Sequence, residues 1–148
     1  MVRLNGHWLF PTQMDKTRVG FVYVIRDDYM KEIYFGKKLF QGYGKMNKGV
    51  ESNWKSYLSS SKYVQMMLKA RPRSEFSFIV LDEFDTKGGL AFAEVWAITT
   101  ALCPLRTDCG NTMIGKIGFN VREGMSQRFK ERYDKACNWE SFEDERQT

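Results

Sequence analysis

Hydrophobic positions between Gly20 and Lys38 fall into two short blocks, "GFVYVIR" and "EIYFGKK", separated by the polar stretch "RDDYMK". Valine, isoleucine, tyrosine and phenylalanine suit a pleated, half-buried surface, so the pattern predicts strands over 20–26 and 32–38 joined as a β-hairpin. Beyond it, "FQGYGKMNKGV" (40–50) is glycine-rich and aperiodic, which predicts a mobile loop. Tyr63, Met66, Met67 and Ala70 then recur at helical spacing, with Ser59, Ser60 or Ser61 available as a cap and Pro72 as a stop.

The apolar run in "EFSFIVLDEF" (75–84) predicts a third strand in an internal position. Thr86 can cap a helix from Lys87 to about Leu102, despite the unfavourable pair Gly88-Gly89, and Pro104 marks its end. Residues 105–121 read as loop with a short strand or turn. Met125, Phe129, Tyr133 and Ala136 predict an amphipathic helix within 122–139, and the last residues, "ESFEDERQT", read as frayed. The expected fold class is α/β of the α+β kind: a small three-stranded, mostly antiparallel sheet flanked by helices, with a C-terminal helical tail.

At 148 residues, 43% of them apolar and 15% aromatic, the chain supports one domain with an aromatic-heavy core. No apolar run is long enough for a membrane span, and "MVRLNGHWLFPTQMDK" lacks the block of a secretory signal, so a cytoplasmic protein without a membrane partner is expected. Cys103, Cys109 and Cys137 lack metal-site spacing and read as reduced thiols.

Charge is more informative than composition. Residues 37–73 hold nine Lys/Arg against one acid, Glu51, and interleave them with Phe40, Tyr43, Trp54, Tyr57 and Tyr63. Cations alternating with rings form either a polyanion track or a solvated basic face whose aromatics turn inward. A second feature is Glu94, whose helical neighbours Leu90, Ala91, Ala97 and Ile98 are all apolar. A carboxylate on a packing face needs either a Lys or Arg partner or a metal ion.

"FVY" at 21–23 and "YFG" at 34–36 resemble the signature strands of the GIY-YIG nucleases, and the likeness is to the phage-encoded, homing-endonuclease-like branch. In order along the chain stand Gly20-Phe21-Val22-Tyr23-Val24-Ile25, Tyr34-Phe35-Gly36-Lys37-Lys38, Asn53-Trp54-Lys55-Ser56-Tyr57-Leu58-Ser59-Ser60, Phe76-Ser77-Phe78-Ile79-Val80-Leu81, Glu94 and Asn111. On that resemblance 20–121 is the nuclease domain, 1–19 an N-terminal extension and 122–148 a C-terminal helix and tail. The chain departs from the pattern at Phe21, at Asn53 where the branch has Asp, and most of all at Lys55. No Arg lies between Gly36 and Lys69 to contact the scissile phosphate as in the wider family.

The resemblance implies a site in which Tyr23 is the general base or the water-orienting group, Tyr34 positions the phosphate or water, and Lys37, Lys38 and Lys55 supply positive charge. Glu94 would hold Mg²⁺ or Mn²⁺, and Asn111, ahead of Asn120, would act behind it. Lys45, Lys48, Trp54, Tyr57, Ser59, Ser60 and Lys62 would contact the substrate, expected to be double-stranded DNA. Two rivals remain open. One is a DNA-binding module with a decayed site, favoured by the missing Arg. The other is a factor that binds a host protein through the 122–148 helix, in a region where seven basic residues balance seven acidic ones over 109–148.

Overall fold

A computed structural model describes residues 4–42, 49–101 and 122–146. Three strands, β1 (Gly20–Asp27), β2 (Glu32–Leu39) and β3 (Phe76–Phe84), form one antiparallel sheet in the order β2-β1-β3. Three helices accompany it: α1 (Lys62–Ala70), α2 (Lys87–Thr100) and α3 (Gln127–Cys137). The α+β architecture and the predicted hairpin are both present, with Tyr23 opposite Gly36 and Ile25 opposite Tyr34. Within the 40–50 loop, Gln41 bridges Glu51, and residues 43–48 lie outside the described residues.

The helices begin where short polar side chains satisfy free backbone N–H groups. Ser61 accepts from the Val64 N–H, Thr86 from Gly89 and Ser126 from Phe129. Glycine at the start of α2 has a steric reason, since a Cβ on Gly89 would run into the Glu123 carboxylate and the Thr86 hydroxyl. Pro104 and residues 105–121 lie outside the described residues, as does Leu102.

Two expectations fail for related reasons. β3 is not internal: β1 occupies the centre, and β3 lies at an edge of the sheet. It is nevertheless buried throughout, because Leu9 pairs with it in parallel. The Leu9 N–H donates to the Phe78 carbonyl at 2.7 Å, and the Val80 N–H donates to the Leu9 carbonyl at 3.1 Å. Nor is the end of the chain frayed through residue 146. Phe142 is buried, a 3₁₀ turn spans Glu143–Glu145, and the Glu145 carboxylate takes two bonds from Arg132 at 2.6 and 2.8 Å. Arg132 is itself buried and donates to the carbonyls of Val80 and Leu9, tying tail, sheet edge and N-terminal segment together.

Alternation along β1 divides the interior in two. Val22 and Val24 join Ile33, Phe35, Ile79 and Leu81 beneath α2 and α3. Phe21, Tyr23 and Ile25 face the other way, into Trp8, Phe10, Phe40, Trp54, Phe78 and the α1 residues Val64 and Leu68.

Candidate active site

Tyr23 stands in the middle of the central strand, on the aromatic face, and is 1% exposed. Its phenol lies across Gly36 of the neighbouring strand so closely that a Cβ there would collide with the phenol oxygen and its ring carbon. The glycine of "YFG" is therefore a space requirement of the tyrosine of "FVY". Tyr34, half-buried on β2, lies beside Tyr23 with ring centroids 6.5 Å apart.

A third tyrosine completes the group. Trp54 is buried in the aromatic core and its carbonyl accepts from the Trp8 indole N–H at 2.5 Å, which anchors the short 3₁₀ turn Trp54–Ser56. The chain leaving this anchor carries Tyr57 edge-on to Tyr23, with centroids 6.2 Å apart. Lys38 Nζ sits 4.0 Å from the Tyr57 ring centroid, a cation on a ring face. Two residues on, Ser59 is buried at 3% exposure with a backbone φ of 98°.

Glu94 reaches this edge of the sheet from α2, on the opposite face. Its Oε1 accepts from Lys37 Nζ at 3.0 Å, and the two side chains are 14% and 32% exposed. The carboxylate is thus neither in the dry interior nor free in water. Lys37, opposite Val22, points to the helical side, while Lys38, opposite Phe21, points to the aromatic one. Strand β2 is where the two sets of groups meet.

Electrostatics around Tyr23 run against the phenolate that a general base needs. Burial pushes its pKa well above the ordinary phenol value, the neighbouring Tyr34 and Tyr57 add to this, and the Glu94 charge adds further; the nearby Ser59 hydroxyl works in the other direction. Burial also lowers the pKa of Lys38.

The remaining sequence-predicted residues divide clearly. Lys55 packs on the aromatic core, its Nζ 5.6 Å from the Trp54 ring centroid, and its charge acts on Glu51. Lys38 and Lys37 are the cations tied to the cluster. Trp54 and Ser59 do not fit as DNA contacts, because both are buried, the first as a core ring and the second bonded by Ser61 and Gln65. Ser60 and Lys62 are exposed or nearly so at the start of α1. Asn111, Asn120, Lys45 and Lys48 lie outside the described residues.

Residue spacing alone does not reveal the link from Tyr57 to Tyr23. The signal that carries it is the succession Trp54, Tyr57, in which a buried ring sets the direction of the chain leaving it. Among the described residues no group of three or more His, Cys, Asp or Glu side chains converges as a metal cage. A divalent ion here would rest on the single carboxylate of Glu94, a hard oxygen donor that suits Mg²⁺ or Mn²⁺ with water and phosphate in the other positions.

The family model described as "Putative endonuclease segE, GIY-YIG domain" matches residues 7–102, which include Tyr23, Tyr34, Gly36, Tyr57, Ser59 and Glu94. No curated protein and no solved structure matches the chain. The chain belongs to the GIY-YIG family of endonuclease domains.

Proposed function

We propose that this GIY-YIG domain is a divalent-metal-dependent endonuclease, phage-encoded and homing-endonuclease-like, that hydrolyses phosphodiester bonds in duplex DNA. The observation that carries this reading is the grouping of Tyr23, Tyr34, Tyr57 and Lys38 on the aromatic face of β1 and β2, with the Lys37–Glu94 pair on the other face of β2.

Hydrolysis requires water aligned on phosphorus, a group to take its proton, and positive charge where the oxygens gain negative charge. Tyr34 orients the phosphate through its hydroxyl. Tyr23 takes the proton in its ionised form, a minority species because burial favours the neutral phenol. Lys38, held against Tyr57, offers charge on the same side of the sheet. Glu94, partly exposed beside Lys37, would hold the ion through its carboxylate oxygens. When bound, Mg²⁺ or Mn²⁺ supplies charge stabilisation for the departing oxygen. Ser60 and Lys62, together with Lys45 and Lys48, would follow the DNA backbone.

One specific observation favours the rival reading, a DNA-binding module that no longer cuts: Lys55, in the position of the family Arg, packs on the Trp54 ring. Nicking of supercoiled plasmid at low salt separates the two. Cutting is expected with Mg²⁺ or Mn²⁺ and none with EDTA, and Glu94→Ala and Tyr23→Phe should lower the rate by about a thousandfold and a hundredfold with the melting temperature preserved. DNA binding with intact plasmid would establish the rival; undiminished cutting by Glu94→Ala would remove that residue as the metal ligand.

A further inference from the structure

Three distant pieces of the chain converge on the ring of Phe78. Leu9, in parallel pairing with β3, brings His7 over that ring, with centroids 4.2 Å apart and planes inclined by 27°. The 3₁₀ turn Arg73–Glu75 before β3 sets the Arg73 guanidinium 5.5 Å from the same ring centroid. The turn Glu143–Glu145, fastened by Arg132, delivers Arg146. With Leu9 and Phe76 these side chains line a pocket of about 140 Å³, far more than one water needs.

Charge in this pocket is unbalanced. Among the described residues no acid lines it. Arg18, Arg26, Arg71, Arg128 and Arg132 each hold a carboxylate, whereas Arg73 is exposed and makes no ion pair among the described residues. The acid nearest to it in sequence, Glu75, is taken by Arg71 at 2.6 Å. Arg146 bonds Glu143 through Nε and Nη2 at 2.7 and 2.8 Å, a surface pair worth little, and this leaves Nη1 for another acceptor. Two guanidiniums beside a pocket without a carboxylate suit an anion, and the planar fork of each matches phosphate oxygens. The pocket also borders the aromatic face: the Trp8 ring centroid is 4.9 Å from that of Tyr23 and 5.9 Å from that of Phe78.

We propose that this pocket is a phosphate site, in which Arg73 and Arg146 together hold one backbone phosphate of duplex DNA, other than the phosphate that faces the tyrosines. Only the Trp8 ring separates Tyr23 from Phe78, so a strand engaged at the tyrosines is within a few nucleotides of the pocket. Arg146 belongs to the tail beyond residues 7–102, so the site includes chain that the family domain does not. The nuclease reading supplies DNA as the source of the phosphate; the anion site itself rests on the pocket.

The test measures duplex binding by the full chain in EDTA over a range of salt concentrations. One phosphate contact contributes about 0.9 to the slope of log K against log salt. Arg73→Gln and Arg146→Gln should each lower the slope by about that amount, for every duplex sequence alike. The double variant should fall no further, because one phosphate is lost either way. Both side chains are exposed, so melting temperatures should hold. In ¹⁵N-arginine spectra of the parent, inorganic phosphate should move the Nε resonances of Arg73 and Arg146 saturably and leave that of Arg128, bonded to Asp82, in place. A double variant that loses twice the slope of either single one would mean two separate contacts and overturn the shared pocket. An unchanged slope with saturable phosphate shifts would assign the pocket to free phosphate and end the DNA assignment. Resonances that respond equally to sodium chloride would end the anion site itself. Plasmid nicking is scored apart: a parent that shows the expected slopes but never nicks keeps this site and loses the nuclease reading.

Discussion

The two faces of the sheet are built from different materials. Beneath α2 and α3 the interior is mostly aliphatic and alanine-rich, with Val22, Val24, Ile79, Leu81, Leu90, Ala93 and Ala97. On the other face rings predominate, Trp8, Phe10, Phe21, Tyr23, Phe40, Trp54 and Phe78, covered by α1 and by segments of irregular backbone. Aliphatic side chains can only fill space, whereas a tyrosine fills it and carries a hydroxyl to the boundary. The aromatic face is thus both core and chemistry, and among the described residues the helical face contributes the Lys37–Glu94 pair at β2.

The heaviest blow that would separate the faces falls at Phe129, fully buried under α3. Phe129→Ala should cost about 3–5 kcal/mol of stability in urea titration, while single-turnover nicking by the remaining folded fraction keeps the parent rate. A proportionate loss of chemistry there would mean that the faces are coupled. Gly36→Ala acts on the aromatic side, forcing the Tyr23 phenol to move: about 2 kcal/mol in stability, accompanied here by a fall in nicking of the folded protein. Parent-level cutting by that variant would show that the close approach has no bearing on chemistry.

A gentler probe of the same division is pH. Because burial, Tyr34, Tyr57 and Glu94 raise the Tyr23 pKa, against the smaller opposing effect of the Ser59 hydroxyl and with Lys38 on the Tyr57 ring, the ionised form grows with pH throughout the neutral range. The nicking rate should therefore rise up to about tenfold per unit, about 1.4 kcal/mol, on going from pH 7 to 9. A flat profile would assign the proton to another acceptor.

Much of this architecture is legible in the chain because it is local. The hairpin, the caps at Ser61 and Thr86, and the exceptional position of Glu94 follow from periodicity and from one acid among apolar neighbours. Trp54 is not legible as core, since a ring between polar neighbours has the same pattern whether it stacks on DNA or turns inward, and the Trp8 bond that decides the matter spans 46 residues. Ser59 carries no sign of its left-handed backbone, because nothing in a serine requires one. The order in the tail is hidden for a similar reason: Arg132 and Glu145 read as solvated charges until the fold surrounds them.

That last pair sets an order of events during synthesis. Arg132 is enclosed by Leu9 and β3, yet its counter-charge is translated 13 residues later. Until Glu145 leaves the ribosome, closing this corner would strand a guanidinium in a poorly hydrated environment, so the N-terminal segment and the sheet edge gain their final lock only at that moment.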